Sequence, residues 1–153
     1  MVIVNKVKVL FSLDISTFVL LVEALFYLAW ARILIHMPFS RVAPSLGDAM
    51  QETTFIHNDL NRATLIQISS AISTMSNHTL WESKCLVKAI AGMKMLARRK
   101  MESTLYLGTA KDESSTMIAH AWLRSGSFFI TGKESMEKFT VVGKFAKRMK
   151  GNR

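Results

Sequence analysis

The hydrophobic pattern of the chain changes its period once, near residue 100. Before that point apolar residues recur every three or four positions, as on the buried face of a helix, and after it they alternate with polar residues, as in a strand. The first part predicts helices over 17–37, 58–76 and 83–100. The second part predicts antiparallel strands over 104–109, 117–124, 127–131 and 139–142. The sequence therefore predicts an α+β fold.

The first predicted helix is apolar nearly all round, and Glu23 and Arg32 are its only formal charges. A membrane-spanning helix needs about 20 apolar residues with few charges, so this run is borderline for a span. We expect a long helix that is buried in the protein and ends before Pro38. Peripheral or spanning contact with a membrane is the alternative. Residues 38–56 hold both prolines and are expected to connect this helix to the next, with about one helical turn.

Composition and charge narrow the class of protein. Half of the 153 residues are hydrophobic and 20% are charged, which is typical of a folded chain. We expect a helical subdomain over 1–80 and an α+β unit over 81–153. The net charge of +9 comes entirely from 81–153, which holds fifteen basic and six acidic residues. Such an excess attracts an anionic partner, but no aromatic residues alternate with the C-terminal Lys and Arg, so nucleic-acid binding is not expected.

Cys85 is the only cysteine, and it stands where the third predicted helix begins. The unpaired N–H groups and the positive end of the dipole at such a position stabilise a thiolate and can hold an oxyanion. His120, in the second predicted strand, could serve as the imidazole that a thiol nucleophile needs. The alternative is a buried core cysteine and a locally satisfied histidine. One cysteine and four scattered histidines predict neither a disulfide nor a metal site, so no cofactor is expected and a reducing cytoplasm fits best.

A third group should orient the His120 ring through the nitrogen that does not serve the thiol. If a two-residue turn at 125–126 joins the second and third strands, antiparallel pairing sets His120 beside Thr131. Thr131 is therefore the first candidate for the orienting residue, and Glu134 and Asp112 are the alternatives. Strand alternation also predicts two faces, one with Ile118, His120, Trp122 and Arg124 and the other with Ala119, Ala121 and Leu123.

Several segments of the chain resemble the leader peptidases of lasso-peptide biosynthesis, which are bacterial transglutaminase-like cysteine proteases. The segments are WESKCL at 81–86, LARR at 96–99, LYLG at 105–108 and AHAWL at 119–123, with EAL at 23–25 and MPFSR at 37–41 in the first half. The resemblance implies a helical N-terminal subdomain packed on a transglutaminase- or papain-like core, in which the nucleophile helix lies against a small antiparallel sheet. It also implies that Cys85 and His120 are the catalysts.

Members of that family use a Cys-His-Asp triad whose Asp follows the histidine by about a dozen residues. Here residues 130–134 read ITGKE, so no Asp matches. The ring would then be oriented by Thr131, by a backbone carbonyl or by a group from a partner.

The resemblance also implies partners: a precursor peptide with its leader, a separate leader-recognition protein, because the chain resembles the split form of the family, and the ATP-dependent lasso cyclase. The expected location is cytoplasmic, with membrane association left open. Two alternatives remain at this point: a non-enzymatic partner or scaffold of a peptide-modification complex, and an acyl transferase with the same cysteine chemistry.

Overall fold

The computed structural model describes residue 8 and residues 12–56, 58–80 and 83–150. The α-helices are α1 (Ile15–Leu34), α2 (Phe39–Leu46), α3 (Arg62–Ser76) and α4 (Cys85–Arg98). The strands are β1 (Asp48–Ala49), β2 (Ser103–Lys111), β3 (Met117–Ser125), β4 (Phe128–Thr131) and β5 (Thr140–Lys147). Short 3-10 helices occupy Asp59–Asn61 and Lys133–Lys138. The predicted α+β class is confirmed, whereas the expected connecting segment after Pro38 holds a full eight-residue helix and a two-residue strand.

The five strands form one antiparallel sheet in the order β1-β5-β2-β3-β4. Helix α4 crosses one face of this sheet so closely that a Cβ atom on Gly92 would meet the side chain of Leu123 at 2.8 Å. The main hydrophobic core lies in this layer, and it includes side chains of α1, α3, α4 and the sheet. One core therefore joins helices from both sides of the predicted boundary at residue 80, and the division into two domains stays a prediction.

Alternation along β3 separates two sets of side chains. Ala121 and Leu123 belong to the main core beneath α4. The rings of His120 and Trp122 lie on the other face, where Trp122 also stacks on Tyr106 with a centroid distance of 5.5 Å. The predicted division of faces is confirmed, because a strand without a bulge sends successive side chains to opposite sides.

Arg124 continues the face of β3 that carries His120, and it is the largest fully buried side chain among the residues described. Its guanidinium donates hydrogen bonds to the Tyr106 hydroxyl, to Thr104 Oγ1 and to the carbonyl oxygens of Thr53, Thr54 and Gly126. Among the described residues it has no carboxylate within ion-pair distance. Burial raises the pKa of Tyr106 above its ordinary value of 10.0, which keeps that hydroxyl protonated. Arg124 thus fixes the segment after β1 to the sheet through neutral oxygens.

The β3–β4 hairpin differs from its predicted register. Ser125 pairs with Phe128, so the two-residue turn is 126–127 and not 125–126. Gly126 takes the left-handed conformation that such turns require, with φ of +55°. The register then shifts once more within β4 and places Thr131 opposite Leu123. The predicted pairing of Thr131 with His120 is therefore wrong.

Helix α1 is much less buried than expected. Its N-cap is Asp14, whose carboxylate accepts hydrogen bonds from the N–H groups of Ser16 and Thr17. Only four of its twenty residues are buried, namely Glu23, Ala24, Leu28 and Ala31. An apolar run shows that a helix avoids water but not how many of its sides the protein itself covers, which is why the expectation of a buried helix was wrong. Among the described residues, α1 is the one helix long and apolar enough to cross a membrane.

Candidate active site

Cys85 is the first residue of α4, as the sequence predicted. The residue before it, Lys84, has an extended backbone and makes no side-chain capping hydrogen bond to the first turn. The Lys84 side chain therefore does not occupy the backbone N–H groups of that turn, which can act on a thiolate or an oxyanion. The Cys85 side chain is half-buried and packs against the main core.

His120 lies in the first half of β3, and its half-buried ring is held between two aromatic side chains. The ring centroids of Trp122 and Phe139 lie 5.8 Å and 5.0 Å from that of His120. Gly108 faces His120 across the β2–β3 pair, and a Cβ atom there would collide with Phe139 and Trp122 at 2.8 Å. The glycine therefore leaves the space into which these two rings fit beside the imidazole.

The hydrogen bonding of the ring assigns its tautomer. His120 Nε2 lies 2.8 Å from the carbonyl oxygen of Gly132 and 3.4 Å from Ser135 Oγ. Because a carbonyl oxygen only accepts hydrogen bonds, Nε2 carries the hydrogen. In the neutral ring Nδ1 is then the basic nitrogen, and no hydrogen bond to Nδ1 occurs among the described residues. The ring is thus fixed through one nitrogen while the other keeps its lone pair available.

Gly132 can place its carbonyl there because it is a glycine. Its backbone is left-handed, with φ of +76° and ψ of +14°. A Cβ atom at this position would lie 2.6 Å from the Ala121 carbonyl oxygen and 3.1 Å from His120 Nε2. The sequence analysis left a backbone carbonyl open as the orienting group but did not name this one. A glycine directly after a strand and twelve residues beyond the histidine was the available signal.

The three side chains named from the sequence as orienting residues do not contact the His120 ring through hydrogen bonds. Thr131 Oγ1 is buried and has no hydrogen-bond partner within the described structure. Glu134 is exposed on the 3-10 helix after β4. The Asp112 carboxylate accepts hydrogen bonds from Ser114 and Thr116 in its own loop, and these hydrogen bonds lower its pKa below the ordinary value of 3.8. Their roles in catalysis stay predictions.

The structure does not join Cys85 to His120. No hydrogen bond links the Cys85 sulfur to the ring within the described ranges. Cys85 packs on the core side of the sheet, where Ala121 and Leu123 lie, and His120 faces the other side. Both residues nevertheless lie toward the same end of the sheet. The C-terminal end of α4 lies next to the start of β2, which pairs with the end of β3, and Gly92 of α4 lies against Leu123. The N-terminal end of α4, which carries Cys85, is therefore directed toward the first residues of β3.

The remaining polar groups do not form a competing centre in the part of the chain that is described. His36 is exposed, and His78 binds the Thr74 carbonyl oxygen through Nδ1 at 2.7 Å. The described residues contain no group of three or more His, Cys, Asp or Glu side chains that could hold a metal ion. His57 lies outside the described residues, as do Trp81 and Glu82 of the segment at 81–86.

Two cavities lie elsewhere on the molecule. One of about 310 Å³ lies beside the β3–β4 turn, and one of about 630 Å³ lies between α1 and α3. Neither is lined by Cys85 or His120.

Comparison with known families gives one match. The chain matches the family described as the transglutaminase-like superfamily over residues 25–144, a stretch that includes both Cys85 and His120. No curated protein and no solved structure matches the sequence significantly.

Proposed function

Because the chain belongs to the transglutaminase-like superfamily, which includes cysteine peptidases, we propose that it is a cysteine peptidase with Cys85 as nucleophile and His120 as general base. The observation that carries the proposal is the 2.8 Å hydrogen bond between His120 Nε2 and the Gly132 carbonyl oxygen. It fixes the tautomer in which Nδ1 can take the proton of a thiol.

The chemistry follows from these groups. His120 Nδ1 accepts the proton of the Cys85 thiol, and the thiolate attacks the scissile carbonyl carbon. The N–H groups of the first turn of α4 hold the oxyanion of the tetrahedral intermediate. Nδ1–H then protonates the departing amine, which leaves a thioester on Cys85. Water, deprotonated by Nδ1, attacks this thioester and releases the acid and the thiol. The Gly132 carbonyl binds Nε2–H throughout and stabilises the imidazolium.

Proton transfer requires the Cys85 sulfur and Nδ1 to approach to about 3–3.5 Å. Because the two side chains lie on opposite sides of β3, this approach requires the start of β3 to rearrange and not only a hydrogen bond to tighten. The residues of β3 that precede His120, 117–119, are exposed, so this end of the sheet is open to a partner or substrate. We therefore assign the closing of this distance to binding of the peptide or of the recognition protein.

The proposed substrate is a ribosomally made lasso-peptide precursor, from which this peptidase removes the leader with the help of a separate recognition protein. The support for this finer proposal is the resemblance of the segments around Cys85 and His120 to the leader peptidases of lasso-peptide biosynthesis. Hydrolysis would free the amine of the core peptide for the ATP-dependent cyclase, in the cytoplasm.

A second candidate function is a non-enzymatic scaffold of a peptide-modification complex. The observation that favours it is the position of Cys85 and His120 on opposite sides of β3. In that case the cysteine is a core thiol and the histidine is satisfied by Gly132.

Leader cleavage separates the two functions. The full chain is incubated with its recognition protein and precursor peptide, and the products are weighed by mass spectrometry. We expect Cys85→Ala and His120→Ala to lower the rate by at least about a thousandfold, because each removes a group that acts directly on the reacting atoms. His36→Ala, at an exposed histidine outside the site, should retain it. Cleavage at the unaltered rate by folded Cys85→Ala would end the peptidase proposal. A product mass that shows amide transfer would instead assign an acyl transferase.

The same assay tests the orienting group. Thr131→Val removes the Oγ1 hydroxyl and keeps the volume of the side chain. If the Gly132 carbonyl orients His120, this variant should cleave the leader at the original rate. A large loss of turnover in a stable Thr131→Val protein would return the role to Thr131.

A further inference from the structure

The outward side of α1 is a continuous apolar surface, which we call the outer stripe. Its members recur every three or four residues and are each exposed by 36–82%: Ile15, Phe18, Val19, Val22, Leu25, Phe26, Trp30 and Ile33. The stripe is about 27 Å long at the helical rise of 1.5 Å per residue. If a fully exposed side chain of this kind presents about 200 Å², the stripe offers roughly 900 Å² of apolar surface. The largest apolar patch on a typical soluble monomer covers about 300–600 Å².

The outer stripe holds no charged residue, whereas a surface helix in water presents charged residues outward. Its acidic residue, Glu23, points inward, and its carboxylate accepts hydrogen bonds from both terminal nitrogens of Arg99, at 2.7 and 2.8 Å. Surface helices of soluble proteins place charges outward and apolar residues inward. An apolar medium outside the helix would explain this arrangement, whereas water would not.

The charged side chains around the outer stripe indicate which apolar surface it contacts. Within residues 15–47 Glu23 is the only acidic residue, and it is buried and paired. Arg98 reaches the Glu23 carboxylate at 3.8 Å along one flank of α1 and keeps 67% of its side chain exposed. Arg41 is exposed just beyond the C-terminal end of α1. The exposed carboxylate of Asp14 caps the N-terminal end, so the cations lie on one flank and beyond the C-terminal end of the outer stripe, on a chain of net charge +9.

We propose that α1 lies in the interface of a membrane that contains anionic lipid, with the outer stripe among the acyl chains and the bordering arginines at the phosphates. The helix does not span the bilayer, because Ala24, Leu28 and Ala31 keep its inner side in the protein core. A bilayer accepts a convex row of large side chains without a matching groove. A second copy of the chain would bring together two molecules of net charge +9, which costs electrostatic energy.

Vesicle flotation tests the proposal on the full chain. Phosphatidylcholine vesicles with and without phosphatidylglycerol are mixed with the protein, and the bound fraction is measured at low and high salt. We expect binding that requires phosphatidylglycerol and weakens as salt rises. Phe26→Glu should lower the partition coefficient at least about tenfold, because it places a charge in the apolar layer. Leu60→Glu is the matched control, since Leu60 is 90% exposed but lies outside the outer stripe.

Three results would overturn the proposal. The first is a protein that stays unbound with phosphatidylglycerol vesicles. The second is binding that Phe26→Glu and Leu60→Glu reduce equally. The third is a dimer without vesicles that Phe26→Glu converts to a folded monomer, because a second copy would then cover the outer stripe. Circular dichroism verifies that both variants are folded, which their exposed positions lead us to expect.

Discussion

Gly132→Ala tests whether the backbone at the end of β4 is built around the His120 ring. Gly132 has φ of +76°, a conformation that side chains with a Cβ atom adopt at a cost of about 1–2 kcal/mol. The added Cβ atom would also stand 2.6 Å from the Ala121 carbonyl oxygen and 2.8 Å from Trp122 Cβ. Both neighbours belong to β3, so neither can move aside as the end of a flexible side chain can.

The two costs add to a measurable loss of stability. Overpacking of this kind typically costs about 1–3 kcal/mol, and with the backbone term we expect the free energy of unfolding to fall by about 2–5 kcal/mol. Any relaxation that relieves the contact moves the Gly132 carbonyl relative to His120 Nε2, since the Cβ atom would lie 3.1 Å from that nitrogen. Leader cleavage should therefore fall in the protein that remains folded.

Gly143→Ala is the matched control. Gly143 lies in β5, its φ is not positive, and an added Cβ atom would meet nothing closer than 3.7 Å. This variant should change the free energy of unfolding by less than about 1 kcal/mol. Urea denaturation measures both variants, and the initial rate of leader cleavage is compared under conditions in which both are folded. If Gly132→Ala were as stable and as active as Gly143→Ala, the role assigned to the Gly132 backbone would be refuted.

Two further predictions concern stability. Arg124→Met should lower the free energy of unfolding by about 3–5 kcal/mol, because it leaves the carbonyl oxygens of Thr53 and Gly126 and other buried acceptors without a donor. Urea denaturation measures this loss, and a change below about 1 kcal/mol would contradict the prediction. Hydrogen bonds from Ser16 and Thr17 lower the pKa of the Asp14 carboxyl below its ordinary value of 3.8. The ionised carboxylate therefore stabilises the fold above pH 3.8, and this stabilisation is lost as the pH falls through the lowered pKa. Asp14→Asn should therefore weaken the dependence of the urea midpoint on pH between about 5 and 3, and an unchanged dependence would count against the assignment.

The positions of the main elements followed from the sequence because they depend on local pattern. The change of period near residue 100 separates the helices from the sheet, and the end of α1 before Pro38 follows from the proline. The two faces of β3 were also predictable, since alternation needs no knowledge of the partner strands. Apolar character alone did not decide burial in the α3 region, where Leu60 and Ile66 are exposed whereas Ile68 and Ile72 are buried.

The details of the candidate site depend on features that a pattern does not encode. The hairpin turn moved by one residue, and a further register shift in β4 separated Thr131 from His120. A shift of this kind changes every pairing beyond it, so the orienting residue could not be read by counting from the turn. The contact that replaced it comes from the backbone of Gly132, and every residue type offers such a carbonyl oxygen. Its selection rests on the left-handed conformation of that one position.

The two candidate catalysts differ in how firmly the fold holds them. Helix α4 is buried from Val87 through Met95 along most of its length, so the Cys85 end is anchored by the core. The His120 side has less support: residues 117–119 of β3 are exposed, and the 3-10 helix Lys133–Lys138 after Gly132 holds no buried residue. Local opening requires least free energy where few apolar contacts are lost. If Cys85 and His120 act together, we expect the movement that brings them into contact to occur in the start of β3 and in the segment around Gly132. The hydrogen bond between His120 Nε2 and the Gly132 carbonyl oxygen would then move the ring and that segment together.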